Sequence, residues 1–192
     1  MARKSAKRSI KLPHVVIGVC GSIAAFKVCN VLTHLRGKVN VTIAMTPSAT
    51  QFIGPQTFLA LTGNQVVTDL WAPTHVKPRH IDLADELDLL LIAPATANIL
   101  AKAALGIADE PVSTLLVSSL PTEKPILFAP AMNTRMWLNP ATVANVTTLR
   151  KRGYHFVDPT EGDLACGWQG QGRLAEPEVI AHKVLALLKL DD

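Results

Sequence analysis

The chain has 192 residues, a length that fits one domain and is sufficient to bury a sizeable core. Hydrophobic residues make up 48% and charged residues 18%, which excludes a disordered chain. No stretch reaches the roughly 18 uninterrupted apolar residues of a membrane span. The three cysteines have no metal-ligand spacing, so we expect a cytoplasmic protein in a reducing compartment, without a metal site.

The net charge of +4 belongs to the N-terminal segment. Five basic residues and no acidic ones lie within residues 1–11; removing them from the 19 basic residues leaves 14, against 15 acidic residues. The rest of the chain therefore carries a charge of about −1, and we expect residues 1–12 to form a flexible, solvated basic tail. Only 5% of residues are aromatic and no recognition helix accompanies the charge, which argues against nucleic-acid binding.

From residue 13 onward, short apolar runs alternate with helical patterns. Strands are predicted at 15–19, 39–45, 87–93, 125–130 and 154–157. Helices are predicted at 23–35, 48–61, 97–105, 142–152 and 179–190, whereas the segment 112–119 is compatible with a helix or a strand. This alternation predicts an α/β domain over residues 13–190 with a mainly parallel sheet and right-handed crossovers.

Unusual clusters follow four of these strands, at 21–22, 46–48, 94–98 and 130–137. In parallel α/β sheets, ligands bind beyond the carboxyl ends of the strands, so these clusters are candidate binding residues. The tract 158–177 is different, because it is rich in glycine and has no periodicity. An irregular tract of that length is usually functional or disordered.

Gly21 and Ser22 follow the first strand and open a helix. Glycine lets the backbone approach a ligand, and free N–H groups at a helix start favour an anion such as phosphate. The third glycine of the dinucleotide fingerprint and the lysine of a phosphate-binding loop are both missing. The turn by itself is therefore equally compatible with a phosphate site and with a tight turn that binds nothing.

Polar groups also follow the third and fourth strands. Thr96 and Asn98 are able to cap a helix or to clamp a ligand, and the sequence leaves both readings open. Asn133 and Arg135 lie among two methionines and a tryptophan. An asparagine beside apolar walls suits recognition of a carboxylate or amide group.

Two further side chains are candidates for proton transfer. Histidine is the side chain best suited to proton transfer at physiological pH, and His80 has Asp82 and Asp85 close in sequence, although a lone histidine is more often a surface or satisfied residue. Cys166, inside the glycine-rich tract, is a candidate acid, nucleophile or redox thiol, with a spectator thiol as the default alternative.

Five segments, taken together and in this order, resemble the homo-oligomeric flavin-containing cysteine decarboxylases: 21–27, 80–83, 93–98, 130–137 and 165–173. Within that family the chain is most similar to the enzymes that convert 4'-phosphopantothenoylcysteine to 4'-phosphopantetheine in coenzyme A biosynthesis. The resemblance covers about residues 13–190. It implies a Rossmann-like or flavodoxin-like three-layer α/β fold with FMN bound at subunit contacts. It also implies a homotrimer or a dodecamer built of trimers, with a phosphopantothenoylcysteine synthetase as a candidate partner.

The same resemblance implies roles for individual residues. His80 would be the catalytic base, Cys166 the proton donor, and the tract 158–177 a flap that closes on the substrate. FMN contacts are implied for Gly21, Ser22, Ile23, Ser48, Thr96, Ala97 and Asn98. Substrate contacts are implied for Met132, Asn133, Arg135, Ala165, Gly167 and Arg173.

The implied chemistry is a decarboxylation that first creates its own electron sink. Oxidation of the substrate thiol to a thioaldehyde, with hydride passed to FMN, allows CO2 to leave and an enethiolate to form. Return of the hydride and a proton from Cys166 would complete the saturated thiol. Relatives that act on peptides stop at the enethiol and do not need that cysteine.

Two alternatives remain at the level of sequence. One is a peptide C-terminal cysteine decarboxylase that forms an aminoenethiol, and the other is an FMN-binding regulatory subunit, against which the joint presence of His80, Asn133 and Cys166 argues. A flavin prenyltransferase would share the fold but has no use for a cysteine-bearing flap. Trp168 and Gln169 stand where the resemblance leads us to expect an Asp-containing pair, so the substrate stays open.

Overall fold

The computed structural model describes residues 12–70, 79–163, 167 and 169–190. The predicted basic tail up to residue 11, together with Ala165, Cys166 and Trp168, lies outside the described residues. The predictions made for them stay predictions. Within the described ranges, no helix combines the length and the apolar character that crossing a membrane requires.

A five-stranded parallel sheet forms the centre of the fold, with the strand order β2-β1-β3-β4-β5. Its strands are β1 (His14–Val19), β2 (Asn40–Met45), β3 (Leu89–Ala95), β4 (Ile126–Pro130) and β5 (His155–Phe156). Ile17 of β1 lies opposite Ile43 on one side and Leu91 on the other. The strand order reverses between β1 and β3, which is where open α/β sheets form a ligand-binding crevice.

Helices cover both faces of the sheet and give it three layers. One face carries two 3-10 helices (Ile23–Lys27 and Ala49–Gln51), α1 (Val28–Leu35), α2 (Pro55–Thr62) and α8 (Pro177–Leu187). The other carries α3 (Arg79–Glu86), α4 (Ala97–Leu105), α5 (Pro111–Ser118), the short α6 (Thr134–Trp137) and α7 (Pro140–Lys151). Successive strand residues alternate between the two cores, because side chains of a strand point to opposite faces.

Helix α5 lies very close to the sheet at Gly18. A Cβ atom added to Gly18 would come within 2.7 Å of both Ile92 Cδ1 and Val112 Cγ1. Val112 belongs to the first turn of α5. The missing side chain at position 18 therefore sets how deeply the N-terminus of α5 sits on the sheet.

Two sequence-based boundaries need correction. The single helix predicted at 48–61 is a 3-10 helix followed by α2, because Gly54 is the N-cap of a new helix and Pro55 occupies its first turn. The third strand does not end at Pro94, since β3 continues to Ala95, which pairs with Pro130 after a register shift. That irregular end of the ladder tolerates a residue without an N–H group.

Two segments acquire a definite structure. Residues 112–118 of the segment 112–119 belong to α5 and Ser119 is its C-cap; the helix starts with Pro111 and a capping box between Glu110 and Ser113. In the glycine-rich tract, β6 (Thr160–Asp163) and β7 (Gln169–Arg173) pair as an antiparallel ribbon. Glycine-rich strands lack the apolar alternation that reveals a strand in a sequence, so this ribbon was not predictable from periodicity.

Candidate active site

A cleft of about 600 Å³ opens where the carboxyl ends of β1, β2, β3 and β4 meet. Its volume lies within the usual range of small-molecule and cofactor sites. Six of the predicted site residues line it: Gly21, Ser22, Ser48, Thr96, Asn98 and Met132. The structure therefore brings together residues from four separate sequence clusters.

The turn after β1 forms the first wall. Ser22 caps the following 3-10 helix, because its Oγ accepts a hydrogen bond from Ala24 N at 3.3 Å. A Cβ atom added to Gly21 would lie only 2.5 Å from Ser48 Cβ, a separation that real Cβ atoms do not show. Glycine at this position lets the turns after β1 and β2 meet at the cleft.

The N-terminus of α4 forms the second wall. Thr96 is its N-cap, and its Oγ1 accepts a hydrogen bond from Ile99 N at 3.4 Å. Thr96 therefore caps α4 and lines the cleft at the same time. Asn98 and Lys102, four residues apart, share one face of α4 and both line the cleft.

The turn between α4 and α5 forms a third wall, and none of its residues was among the predicted site residues. Lys102 Nζ lies 2.6 Å from Asp109 Oδ1, and the hydrogen bond from Lys102 holds the pKa of Asp109 below its usual value. The Glu110 carboxylate accepts hydrogen bonds from Val112 N and Ser113 N at 2.9 and 2.8 Å. The Glu-Pro-Val-Ser sequence signals a helix start, but it carries no information on its distance from the cleft.

Cys20 lies at the base of the cleft and is 1% exposed. Burial, reinforced by the nearby Glu110 carboxylate, raises the pKa of this thiol far above its usual range. Cys20 is therefore a neutral thiol at physiological pH, which suits packing rather than nucleophilic chemistry.

The turn after β4 borders the cleft with Met132 and Met136. Between them, the half-buried Asn133 is the N-cap of α6, and its Oδ1 accepts a hydrogen bond from Arg135 N at 2.9 Å. Arg135 itself is exposed. The sequence motif 130–137 is thus a strand end followed by a capped turn, with apolar groups toward the cleft.

The β6–β7 ribbon contacts this turn. Met132 N donates a hydrogen bond to Gly172 O at 2.9 Å, and a Cβ atom added to Gly170 would lie 2.6 Å from Thr134 Oγ1. Arg173 forms an ion pair with Glu176 at 2.8 Å, close to the start of α8. The glycine-rich tract and the asparagine motif, far apart in sequence, are therefore neighbours in space.

His80 lies at the beginning of α3 and does not line the cleft as a single chain forms it. Its ring Nδ1 is buried and has no hydrogen-bond partner among the described residues. A buried polar atom without a partner is costly and therefore needs an explanation, of which a catalytic role is one.

The remaining predicted site residues within the described ranges also stand away from the cleft lining: Ile23, Ala97, Asn133, Arg135, Gly167 and Arg173. Ile23 is 58% exposed, an unusual position for a large apolar side chain. Residues 12–70, 79–163, 167 and 169–190 contain no group of three or more side chains arranged to hold a metal ion.

The model of the Flavoprotein family matches residues 3–189. The chain belongs to the Flavoprotein family. Among related flavoproteins, the coenzyme A biosynthesis bifunctional protein CoaBC of Mycobacterium tuberculosis is 46% identical over 180 residues, which cover 93% of this chain and 42% of that protein. The chain thus spans less than half the length of such bifunctional relatives. A probable phosphopantothenoylcysteine decarboxylase of Streptococcus mutans is 42% identical over 173 residues, which cover 88% of this chain and 96% of that protein.

Solved flavoprotein structures share the fold. A mutant PPC decarboxylase complexed with pantothenoylaminoethenethiol superposes with a TM-score of 0.85 at 30% identity, covering 93% of this chain and all of the other. The FMN-dependent cysteine decarboxylase SpaF superposes with a TM-score of 0.79 at 36% identity, covering 92% of this chain and 97% of the other. The family resemblance and the flavodoxin-like α/β fold predicted from it are therefore confirmed.

Proposed function

We propose that this flavoprotein is an FMN-dependent carboxy-lyase that converts 4'-phosphopantothenoylcysteine to 4'-phosphopantetheine. The observation that carries the proposal is the meeting of four strand ends at one cleft bordered by the Asn133 turn. It is supported by the 42% identity to the probable phosphopantothenoylcysteine decarboxylase, a protein that the match covers almost completely.

The cleft has the size and chemistry that FMN requires. It lies where the strand order reverses between β1 and β3, the place at which flavodoxin-like sheets bind FMN. Gly21 permits close approach of a ligand to the backbone, and the N-terminus of α4 with Asn98 offers donors to phosphate oxygens. Met132 and Met136 offer polarisable apolar surface to an aromatic ring.

FMN held in the cleft would supply the redox chemistry, a reversible hydride exchange with the thiol-bearing carbon of the substrate. The protein's own residues bind and transfer protons. Asn133 Oδ1 accepts from Arg135 N, and the amide NH2 group, the donor part of that side chain, would donate to the substrate carboxylate. His80 accepts the substrate proton through its ring nitrogen, and Cys166 donates the final proton.

The proposal is tested by anaerobic incubation of the FMN-loaded protein with 4'-phosphopantothenoylcysteine, following product mass and flavin absorbance together. We expect the loss of CO2 alone, with the flavin back in its oxidised form at the end of turnover. No turnover, with oxidised flavin still bound, would overturn the proposal. Loss of CO2 and two hydrogens, with reduced flavin, would instead indicate an enethiol-forming enzyme.

A second candidate is an FMN-dependent decarboxylase of another cysteine compound, such as a peptide with a C-terminal cysteine. The observation favouring it is the 36% identity to SpaF, which exceeds the 30% identity to the PPC decarboxylase mutant. A peptide ending in cysteine, offered in the same assay, separates the two candidates by the ratio of their kcat/KM values.

Assembly and location extend the main proposal. We propose a cytoplasmic homotrimer, or a dodecamer built of trimers, that cooperates with a phosphopantothenoylcysteine synthetase. The bifunctional relatives, of which the matched region is 42%, support the link to a further activity of coenzyme A biosynthesis. Light scattering on the purified protein gives the number of subunits, and a monomer would contradict this extension.

A further inference from the structure

Strand β7 and the Asn133 turn meet through backbone atoms. Met132 N donates a hydrogen bond to Gly172 O at 2.9 Å. A Cβ atom added to Gly172 would lie 2.2 Å from Met132 O and 3.3 Å from Thr134 N. Gly172 also has a φ of 148°, a conformation that residues with side chains rarely adopt. Any larger residue at this position would therefore push the two segments apart.

The end of β7 is fixed by the hydrophobic core. Leu174 and Ala175 follow the strand directly, are 1% and 2% exposed, and pack in the same core as α8. Arg173 and Glu176 add an ion pair across this junction. Because the end of β7 cannot yield easily, a collision at Gly172 would be relieved by displacement of the Asn133 turn.

The second contact between the ribbon and the turn involves a side chain. A Cβ atom added to Gly170 would lie 2.6 Å from Thr134 Oγ1 and 3.2 Å from its methyl carbon. Thr134 Oγ1 is buried without a hydrogen-bond partner among the described residues. Since Gly170 has a φ of 159°, close to extended backbone, the main penalty of a side chain there is this collision.

We propose that Gly172 and Gly170 are positioning residues that hold the Asn133 turn in place, so that β7 determines where the substrate carboxylate binds. The inference rests on the role proposed for Asn133. Strand β7 packs on α6, which begins directly after Asn133.

The first test compares Gly172→Ala with Gly37→Ala in the FMN-loaded protein. Gly37 has a φ of 77° and nothing within 4 Å of an added Cβ, so it reproduces backbone strain without a collision. For Gly172→Ala we expect KM for 4'-phosphopantothenoylcysteine to rise about tenfold or more, the effect of weakening a hydrogen bond to a charged group. We expect Gly37→Ala to leave KM unchanged.

The second test uses rescue. Gly170→Ala should raise KM, and adding Thr134→Ala should lower it again, because the colliding side chain is removed. The same Thr134→Ala change should not rescue Gly172→Ala, whose added methyl meets the carbonyl oxygen of Met132. A rescue of both variants, or of neither, would overturn the proposal. If Gly172→Ala does not fold, the Gly170 and Thr134 variants alone decide the outcome.

A third measurement does not require turnover. Hydrogen exchange at the Met132 amide should be faster in Gly172→Ala than in the parent protein or in Gly37→Ala, because its bond to Gly172 O is weakened. If exchange is faster in Gly172→Ala but the parent protein has no decarboxylase activity, the positioning role is supported and the proposed function is contradicted. Unchanged exchange and unchanged KM in an active protein would contradict the positioning role alone.

Discussion

The two halves of the cleft border are built in different ways. Beside β1, β2 and β3, caps formed by Ser22 and Thr96 and the close contact of Gly21 with Ser48 lie within a few residues of each strand end. Beside β4, the Asn133 turn is held by Gly172, a residue of a distant strand. Local sequence therefore shapes the proposed cofactor side, whereas the substrate side depends on a long-range backbone contact.

The largest expected effect concerns the catalytic step, which depends on a residue outside both halves of the cleft border. His80→Asn should lower kcat by about 10²- to 10⁴-fold, the usual contribution of a general acid or base. FMN affinity, measured by quenching of flavin fluorescence, should stay unchanged because His80 does not line the cleft. A variant that keeps its kcat would remove His80 from the mechanism.

The next effect tests the substrate side. Asn133→Ala should lower kcat/KM by about 10- to 100-fold, mainly through KM, because a hydrogen bond to a carboxylate is lost. Asn139→Ala is a matched control, since Asn139 caps α7 through Ala141 N at the same 2.9 Å. Equal losses in the two variants would show that only helix capping matters.

A comparable or smaller effect tests the cofactor side. Gly21→Ala should weaken FMN binding about tenfold, because an added methyl at 2.5 Å from Ser48 Cβ forces the first two turns apart, a strain of about 1–3 kcal/mol. Gly54→Ala serves as control, because it has open space around the added Cβ. Measurement of the FMN dissociation constant checks the prediction. Similar constants for Gly21→Ala and Gly54→Ala would show that the close contact of Gly21 with Ser48 does not shape the FMN site.

The smallest effect concerns the wall between α4 and α5. The pKa of Asp109 is lowered in the folded protein, so its ion pair with Lys102 stabilises the fold above the ordinary aspartate pKa of about 3.9. That stabilisation disappears as the pH falls through the lowered pKa. Lys102→Met should therefore lower the Tm slightly at neutral pH, and the two melting curves should coincide at acid pH. A Tm difference that does not change with pH would show that the ion pair between Lys102 and Asp109 is not its cause.

Much of the fold is predictable from the sequence, because buried parallel strands appear as continuous apolar runs and because ligand-binding clusters follow them. This is why Gly21, Ser48 and Thr96 were identified as neighbours in one site. Pro55 also indicates the start of a helix, which the prediction of one helix over 48–61 did not take into account.

Other features have no signal in a single sequence. Glu110 and Lys102 line the cleft only because α4 and α5 are packed side by side, a relation that helical periodicity does not encode. The contact of Gly172 with Met132 joins two segments whose separation in sequence gives no hint of pairing. The family resemblance supplied roles for both segments, but it did not indicate that one holds the other.

Gly18 lies in the interior of the sheet and does not line the cleft, yet it controls one of the cleft walls. Its missing side chain lets Val112 rest on β1 and β3, and Glu110, two residues earlier, reaches the cleft from the same helix start. A methyl group at position 18 would lift that helix start away from the sheet. A mutational survey of flavin retention should therefore register Gly18, a position that does not line the cleft, as strongly as many of the residues that do.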